Sequence, residues 1–311
     1  MKALIIGAAG FVGGYLIEEL KKAGKYEITA TKLSFEELNV SGAKVIDADI
    51  CDIEQTRQVL RDLKPDVIFH LAAQSSVKKS WEKPQLTVHI NVLGAVNLFE
   101  AVRAECPMAR IVVIGSSEEY GEIDYSAPVK ETVIPNPKNI YALTKRAQEE
   151  LARIYCKAYG LDIVMTRSFN HIGPKQIPQF VVADFCSQVA KIEKGLQVPE
   201  IRVGNLSARR DFTDVRDVVK AYVLLAEKGS KGEVYNVGSG ISVEIAQILK
   251  YIISLSDKNV TIKIDESKMR PVDVADIKAD VGKLSALGWT RNYDINSTIR
   301  EMLDYFRKET L

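Results

Sequence analysis

Residues 1–20 are MKALIIGAAGFVGGYLIEEL, a short apolar run followed by a glycine-rich turn and an amphipathic stretch. We expect a buried strand over 3–6 and a helix after the turn. Gly7, Gly10 and Gly13 have the spacing GxxGxxG across the turn and the helix start. Glycines there let the backbone turn tightly and approach a pyrophosphate, while the helix N-terminus offers free N–H groups. The stretch predicts a dinucleotide-binding unit, with helix packing alone as the alternative role of the glycines.

Similar apolar runs recur through the first half of the chain, separated by amphipathic stretches. We predict further strands at 26–31, 44–47, 66–71, 110–114, 163–167 and 233–237. Continuous apolar strands separated by helices indicate a parallel sheet that is covered on both faces. The predicted fold is therefore α/β, a doubly wound (Rossmann) parallel sheet, whose ligands bind at the carboxyl ends of the strands.

The end of the second predicted strand bears on the choice of cofactor. The sequence there is Thr31-Lys32-Leu33-Ser34 and lacks the acid that accepts a hydrogen bond from an NAD ribose. Lys32 can instead pair with a 2′-phosphate, which a carboxylate would repel. We therefore expect NADP, with NADPH preferred over NADH. The alternative is that Lys32 is a solvated surface lysine.

Proline and glycine become frequent after about residue 170, and the apolar runs become shorter. We expect two lobes. Residues 1–170, with about 207–240, form the NADP-binding Rossmann domain. Residues of about 171–206 and 241–311 form a smaller C-terminal α/β lobe that binds the substrate.

Composition excludes several classes of protein. Among 311 residues, 46% are hydrophobic and 27% charged, which excludes a mostly disordered chain. The net charge of +1 provides no overall attraction to nucleic acid or to an anionic membrane. No apolar run reaches the length of a membrane helix, and the cysteines and three histidines form no metal or disulfide pattern. We expect a cytoplasmic, metal-free enzyme.

Tyr141 and Lys145 are candidate catalytic residues. A helix places residues i and i+4 on one face, where the ammonium can lower the pKa of the phenol toward the range for proton transfer. Such a pair occurs by chance in a chain with 12 tyrosines, so its position carries the argument. It follows the fifth predicted strand, which ends in GSSEEYG at 115–121 and places hydroxyls and a carboxylate at the mouth of the sheet.

These residues together resemble the extended short-chain dehydrogenase/reductase family over essentially the whole chain. The matching features are GAAGFVG at 7–13, HLAAQSS at 70–76, Asn91, the Ser116 strand end, and Tyr141 with Lys145. The resemblance implies that Ser116 and Tyr141 hydrogen-bond the substrate oxygen and that Lys145 also holds the nicotinamide ribose. Ser117 is the alternative to Ser116. The cofactor-binding residues that it implies are Gly7, Gly10, Phe11, Val12, Lys32, Asp49, Ile50, Leu71, Ala72, Ala73, Asn91, Tyr141 and Lys145.

Two later segments resemble the branch of this family that acts on GDP-mannose and its products: RSFNHIGP at 167–174 and VGNLSARRDF at 203–212. The guanidiniums of Arg210 and Arg270 suit a diphosphate, because each can bind phosphate oxygens as a fork. A structural ion pair with a nearby aspartate is the alternative for either arginine. The substrate-binding residues that the resemblance implies are Ser75, Ser117, Glu118, Asn170, Val203, Asn205, Arg210 and Arg270.

Two reactions compete within that branch. One is reduction of the C4 ketone of GDP-4-keto-6-deoxy-D-mannose to GDP-D-rhamnose, and the other is the 4,6-dehydration of GDP-mannose. The dehydratases pair Thr with a Glu two residues on that acts as base and acid of the elimination. This chain has Ser116 in place of the Thr but keeps Glu118 at the second position, so dehydration stays chemically possible. The chain lacks the long arginine-rich insertion of the dehydratases after the position of Lys32. We expect the reductase. The dehydratase or another nucleotide-sugar epimerase is the alternative. A non-catalytic cofactor sensor is a third, disfavoured because Tyr141 and Lys145 are both present.

The family resemblance also implies a homodimer, built from a helix at about 84–104 and one at 141–159 in each subunit. The apolar residues that we expect on these faces are Val92, Ala95, Leu98, Phe99, Leu151 and Ile154. The alternative is that these side chains only cover the sheet of their own subunit.

Overall fold

A computed structural model describes residues 1–122, 127–269 and 274–310. Its strands are β1 (Lys2–Ile6), β2 (Glu27–Lys32), β3 (Lys44–Asp47), β4 (Val67–His70), β5 (Arg110–Ser116), β6 (Asp162–Ser168), β7 (Asn170–Ile172), β8 (Glu200–Val203), β9 (Arg209–Asp214), β10 (Val234–Val237), β11 (Ser242–Glu244), β12 (Thr261–Ile264) and β13 (Asp276–Ile277). Its α-helices are α1 (Phe11–Ala23), α2 (Ile53–Leu63), α3 (Val77–Glu82), α4 (Pro84–Val88), α5 (Gly94–Glu105), α6 (Ile140–Tyr159), α7 (Val181–Glu193), α8 (Val215–Lys228), α9 (Ile245–Ser254), α10 (Gly282–Ser285) and α11 (Ile295–Glu309).

Seven strands form one parallel sheet in the order β3-β2-β1-β4-β5-β6-β10. The chain adds β2 and β3 on one side of β1, and β5, β6 and β10 on the far side of β4. The switch point of the sheet therefore lies between β1 and β4. Ligands of doubly wound folds bind outside such a point. The predicted doubly wound parallel sheet is confirmed.

Helices cover both faces of this sheet. α1 and α8 pack on one face through side chains such as Leu16, Ile17 and Tyr222, all 0% exposed. α2, α5 and α6 pack on the other face, where Leu98 and Phe99 lie in the core. Burying one such side chain contributes about 1.5–3 kcal/mol, so both helix layers hold the strand ends in place.

The helix predicted over 84–104 is not one regular α-helix. α4 ends at Val88, a π-helical turn covers His89–Leu93, and α5 begins at Gly94. A π-turn inserts an extra residue into the helical repeat and changes which side chains face inward. Asn91 lies within this turn and is 0% exposed.

The second region has short strands from distant parts of the chain. β9 pairs antiparallel with β11 and parallel with β13 and β7, while β8 pairs parallel with β12. α7, α9 and α11 enclose a separate apolar core beside these strands. The chain therefore has a smaller α/β part next to the large sheet. Across the described ranges, no helix combines the length and the apolar character needed to cross a bilayer.

Candidate active site

The glycine turn after β1 packs directly against the chain that follows β4. Gly7 has a φ of +82°, and a Cβ atom there would lie 2.6 Å from the Cα of Ala72. Its N–H donates to Thr31 Oγ1 at 3.2 Å. Only glycine tolerates both this φ and this close approach. Because Gly7 has no side chain, the turn can pack directly against the chain after β4, at the switch point of the sheet.

The N-terminus of α1 is built to receive an anion. Gly10 is its N-cap in an extended conformation, and no side chain caps the helix. A Cβ on Gly13 would lie 2.0 Å from the carbonyl oxygen of Ala8, so the helix approaches the strand end closely. Uncapped N–H groups at a helix start bind phosphate oxygens. Phe11 and Val12 occupy the first turn. This cradle fits the pyrophosphate of a dinucleotide.

Lys32 is the last residue of β2 and is already paired. Its Nζ lies 2.7 Å from Asp47 Oδ1 at the end of β3 and donates to the Leu33 carbonyl at 3.2 Å. Its side chain is 17% exposed. Lys32 is therefore not a free surface lysine, and a 2′-phosphate would have to share the ammonium with Asp47.

Two hydrogen-bonded segments complete the mouth on the cofactor side. Asp49 accepts the N–H of Cys51 at 2.8 Å, and Asn97 donates to the carbonyls of Ile50 and Cys51, both at 3.0 Å. The N–H groups of Leu71 and Ala72 both donate to the Ile6 carbonyl, and Ala73 follows half-buried. Sequence reasoning missed Asn97, because a buried asparagine on an apolar helix has no local signature.

Ser116 ends β5 and starts a 3₁₀ turn over Ser117–Tyr120. Its Oγ accepts the N–H of Glu118 at 3.2 Å, and the Glu119 carboxylate accepts the N–H of Ser116 at 2.8 Å. This reciprocal pair is a capping box. The Ser116 O–H remains available to donate, and it donates to the Tyr141 phenol. Ser117 in the same turn is 6% exposed.

Asn139 joins this turn to the helix that carries Tyr141 and Lys145. Its Oδ1 caps α6 by accepting the N–H of Ala142 at 2.8 Å, and its Nδ2 donates to Glu118 Oε2 at 3.0 Å. The Glu118 carboxylate is thereby held at the mouth, next to the first turn of α6. Sequence reasoning also missed Asn139, although an asparagine directly before a helical pattern is an N-cap signal.

Tyr141 lies at the start of α6 and is 8% exposed. Burial raises the pKa of its phenol above the ordinary value, and the charges of Glu118 and Glu119 act in the same direction, while a hydrogen bond from Ser116 opposes them. The sequence predicted a lowered pKa because of Lys145. That prediction is wrong for this structure, because loss of hydration outweighs the other contributions.

Lys145 is held in a buried chain of hydrogen bonds. Its Nζ donates to the Ile114 carbonyl at 2.8 Å and to Gln148 Oε1 at 3.1 Å, and Gln148 Nε2 lies 2.8 Å from His70 Nε2. Burial lowers the pKa of Lys145 to about 8. Burial and the Lys145 charge also lower the pKa of His70 to about 3. A neutral His70 accepts from Gln148, whose oxygen then faces the ammonium.

Asn91 acts on the site through its neighbours. Its Oδ1 accepts the Gln74 N–H at 2.8 Å, and its Nδ2 donates to the Gln74 carbonyl at 3.1 Å and to Thr144 Oγ1 at 2.9 Å. Both amide hydrogens are used inside the protein. Asn91 therefore ties the loop after β4 to α6 and aligns it with Tyr141 and Lys145.

A buried ion pair supports the floor of the site. Arg167 on β6 donates to both oxygens of Glu149 at 2.8 Å, and these side chains are 2% and 3% exposed. Arg146 and Arg153 also contact Glu149. Removing one partner of such a pair leaves a buried charge and is strongly destabilising. The pair locks α6 against β6.

The residues predicted to bind substrate differ in their exposure to solvent. Ser75, Asn170 and Asn205 are exposed, Glu118 is half-buried, and Arg210 is 8% exposed. Val203 is 0% exposed in the core of the second region, and its carbonyl accepts the N–H of Asp265. Its side chain therefore packs in that core instead of facing a ligand. Arg270 lies outside the described residues.

Arg210 projects from β9 and bonds to backbone carbonyls. Its Nη1 donates to the Arg209 carbonyl at 2.8 Å and to that of Val274. Asp211 on the same strand accepts the N–H groups of Ser239, Gly240 and Ala279. These bonds tie β9 to the segments at 239–240 and 274–279. Within the ranges described above, no three His, Cys, Asp or Glu side chains gather as a metal site would require.

Comparison with known proteins places this arrangement in a family. Residues 4–302 match the family model described as GDP-mannose 4,6 dehydratase. The GDP-6-deoxy-D-mannose reductase of Pseudomonas aeruginosa is 34% identical over 241 residues, which cover 77% of this chain and 79% of that protein. The likeness to the extended short-chain dehydrogenase/reductase family is confirmed.

Two solved structures agree with the whole fold. RMD from Pseudomonas aeruginosa complexed with NADPH has a TM-score of 0.84 and 29% identity, and the match covers 99% of this chain and 100% of that one. UDP-glucose 4-epimerase from Thermus thermophilus in complex with NAD has a TM-score of 0.89 and 30% identity, with 99% of both chains covered. The same fold thus holds either nicotinamide cofactor.

Proposed function

This chain belongs to the GDP-mannose 4,6 dehydratase family, and we propose that within it the protein reduces the C4 ketone of GDP-4-keto-6-deoxy-D-mannose. The product is GDP-D-rhamnose, and NADPH is the hydride donor. Support comes from the 34% identity to a GDP-6-deoxy-D-mannose reductase and from the position of Tyr141, which is buried at the start of α6.

The placement of Tyr141 is the observation that carries this proposal: it is 8% exposed at the start of α6, and a hydrogen bond joins it to Ser116 at the end of β5. Reduction of a ketone needs an acid that protonates the developing alkoxide, whereas oxidation of an alcohol needs a base. Burial and two nearby carboxylates raise the pKa of Tyr141, so its phenol keeps its proton at neutral pH. The resting site is therefore prepared to donate a proton.

The proposed roles follow from these contacts. A nicotinamide cofactor held at the glycine turn after β1 would supply the hydride for C4. Tyr141 gives its proton to the ketone oxygen, and the Ser116 O–H, which bonds to Tyr141 in this structure, orients that oxygen. We assign the Lys145 ammonium, four residues further along α6, to stabilise the phenolate left on Tyr141. The C4 carbon gains hydride and the oxygen gains a proton, so the step balances as a reduction to an alcohol.

The GDP portion is assigned to the second region. Arg210 is the described arginine that we assign to the diphosphate, because a guanidinium binds phosphate oxygens as a fork. Asn170 and Asn205 are exposed near the ends of β7 and β8, where their amides can reach sugar or base atoms. Arg270 is kept as a proposed second phosphate ligand on the sequence alone.

NADPH is the proposed cofactor on account of Lys32. Its ammonium lies at the end of β2, where a ribose 2′-substituent would be met. The ion pair with Asp47 reduces the charge available to a 2′-phosphate, so we expect a modest preference for NADPH over NADH.

Glu118 favours a second candidate, the 4,6-dehydration of GDP-mannose. A carboxylate that Asn139 holds beside Tyr141 can act as the base and acid of an elimination. The segment 33–43 between β2 and β3 is short, which argues against the dehydratases that carry a long insertion there.

Two incubations distinguish the candidates by product NMR. GDP-mannose is mixed with NADP⁺ in one tube, and GDP-4-keto-6-deoxy-D-mannose with NADPH in the other. We expect no reaction in the first, and NADPH consumption with a new C4 proton in the second. Formation of the 4-keto sugar in the first tube would make Glu118 an elimination base and the protein a dehydratase.

The Glu118→Gln variant sharpens that result. It should keep much of the C4 reduction, because hydride delivery to a ketone needs no base at C5. Gln preserves an oxygen for the Asn139 amide, so α6 stays capped. Loss of the reduction in a variant that still binds NADPH would show that the reaction uses the Glu118 carboxylate.

A homodimer is proposed through α3–α6. Ala95, Leu98 and Phe99 belong to the core of their own subunit, as the alternative expectation held. Ile154 is 55% exposed, and other apolar side chains form an exposed surface on the same helices: Trp81, Leu86, Val88, Leu93 and Leu143. Light scattering that gives a monomer mass at micromolar concentration would contradict the dimer.

A further inference from the structure

Glu119 is a second carboxyl at the site, and the proposed reaction does not use it. It is 0% exposed. Its Oε1 accepts the Ser116 N–H at 2.8 Å, whereas its Oε2 is buried and has no hydrogen-bond partner within residues 1–122, 127–269 and 274–310. Ionising a buried carboxyl with one unsatisfied oxygen is costly. The structure therefore favours the protonated form unless a neighbouring cation compensates.

That cation is Lys145, which contacts the same end of β5. Lys145 Nζ donates to the Ile114 carbonyl at 2.8 Å, and Glu119 accepts from the N–H of Ser116, two residues further along. A carbonyl and the N–H two residues on point to the same edge of a strand. Gly115 between them has no side chain, and a Cβ there would lie 2.7 Å from Glu119 Oε1. Lys145 and Glu119 are neighbours along one strand edge.

The other titratable groups around the pair come from four elements: β4, β6, α6 and the 3₁₀ turn. His70 on β4 is neutral, and Arg167 on β6 is bound to Glu149 on α6. Glu118 is on the same turn as Glu119, and Tyr141 is on α6. Burial, and after it the charge of Glu149, raises the pKa of Glu119 to about 8, while the hydrogen bond from the Ser116 N–H and the charges of Arg167 and Lys145 act in the opposite direction. Burial lowers the pKa of Lys145 to about 8, against the charge of Glu119.

We infer that Glu119 is a positioning residue that keeps Lys145 cationic as the pH rises: its carboxyl lies along the same edge of β5, and once it has released its proton its charge favours the ammonium. The proton goes to solvent, and the carboxylate that remains stabilises the ammonium. Because the two charges interact, the groups lose their protons as a pair, and the ammonium persists to a higher pH than it would alone. The effect on turnover rests on the proposed reduction, but the exchange of charge does not.

The Glu119→Gln variant tests this role through the pH profile. Gln retains an oxygen for the Ser116 N–H and removes only the charge. We expect the alkaline limb of kcat/KM to move to lower pH by about one unit, with activity below the limb retained. Glu150→Gln is the control. It removes the charge of a side chain that is 45% exposed on α6, the helix that carries Lys145, and it should leave the alkaline limb in place. A uniform loss of rate with an unmoved limb would mean that Glu119 only caps the turn, and would overturn the inference.

Infrared spectroscopy of the wild-type protein tests the same point without substrate. The C=O band of a protonated carboxyl should fade with a midpoint near pH 8 and be absent from Glu119→Gln. Lys145→Met should move the midpoint upward, since the ammonium lowers the pKa of Glu119. If no such band is present in the wild type above about pH 6, Glu119 is ionised throughout and the inference fails. If the carboxyl band titrates as expected but the protein does not turn over the keto sugar, the proposed reduction is wrong and the role of Glu119 stands.

Discussion

The large sheet and the smaller second region use the chain in different ways. In the sheet, seven strands run parallel, and site residues stand at the carboxyl ends of β1, β2 and β5, as Gly7, Lys32 and Ser116 do. In the second region, β9 is paired with segments that start at residues 170, 242 and 276. The role of a residue in the sheet therefore follows from its place along a strand. In the second region it follows from contacts between remote segments, as the burial of Val203 shows.

The largest expected effect lies in the sheet region and concerns chemistry alone. Tyr141→Phe removes the proton donor and should lower kcat by about 10²- to 10⁴-fold. NADPH affinity and the thermal midpoint should change little, because the ring stays buried. Steady-state kinetics and calorimetric titration check this. A mild loss of kcat would direct attention to Glu118 as the acid.

A substitution at the proposed substrate site in the second region should change KM for the GDP-sugar and not kcat. Arg210→Ala removes a charged hydrogen-bond donor and should raise KM for the GDP-sugar by about 10- to 100-fold, with NADPH affinity unchanged. Arg209→Ala is the matched control, because that side chain is 40% exposed and pairs with Asp276. Equal effects of the two variants, or a loss of NADPH binding, would break the division of roles between the regions.

Adjacent glycines in α1 test the close packing of the sheet region. Gly13→Ala places a Cβ 2.0 Å from the Ala8 carbonyl and should destabilise the fold by about 1–3 kcal/mol and weaken NADPH binding. Gly14→Ala meets no atom within 4 Å and should stabilise the helix by up to about 1 kcal/mol. Denaturant midpoints measure both. A tolerated Gly13→Ala would mean that the helix can shift away from the strand.

The smallest effects concern the cofactor preference. Lys32→Asp should shift the ratio of NADPH to NADH affinity by about three- to tenfold toward NADH, because it replaces an attraction with a repulsion. Asp47→Asn frees the Lys32 ammonium and should increase NADPH affinity by less than about fivefold, as for an exposed ion pair. Calorimetric titration with both cofactors checks these changes. If neither variant alters the preference, Lys32 does not meet the 2′-phosphate.

Much of the sheet region was predictable from local pattern. Buried parallel strands appear as apolar runs, and glycines are placed where the backbone must turn or approach closely, so the strands, the doubly wound parallel sheet and the glycine turn followed from the sequence. Tyr141 and Lys145 lie on α6, as their helical spacing predicted, and their catalytic roles stay a prediction. The helix predicted over 84–104 contains a π-turn that the sequence did not indicate, because a π-turn leaves no clear mark in residue types.

The electrostatic state of the site was decided only by the tertiary structure. The sequence placed Lys145 beside Tyr141 and predicted a lowered phenol pKa, but it contained no measure of burial, which raises that pKa instead. It also did not show that Glu119 turns inward onto the Ser116 N–H while Glu118 stays at the mouth. Residue type and spacing determine which groups lie near one another along an element. Solvation and charge depend on what packs over them, and those neighbours come from distant parts of the chain.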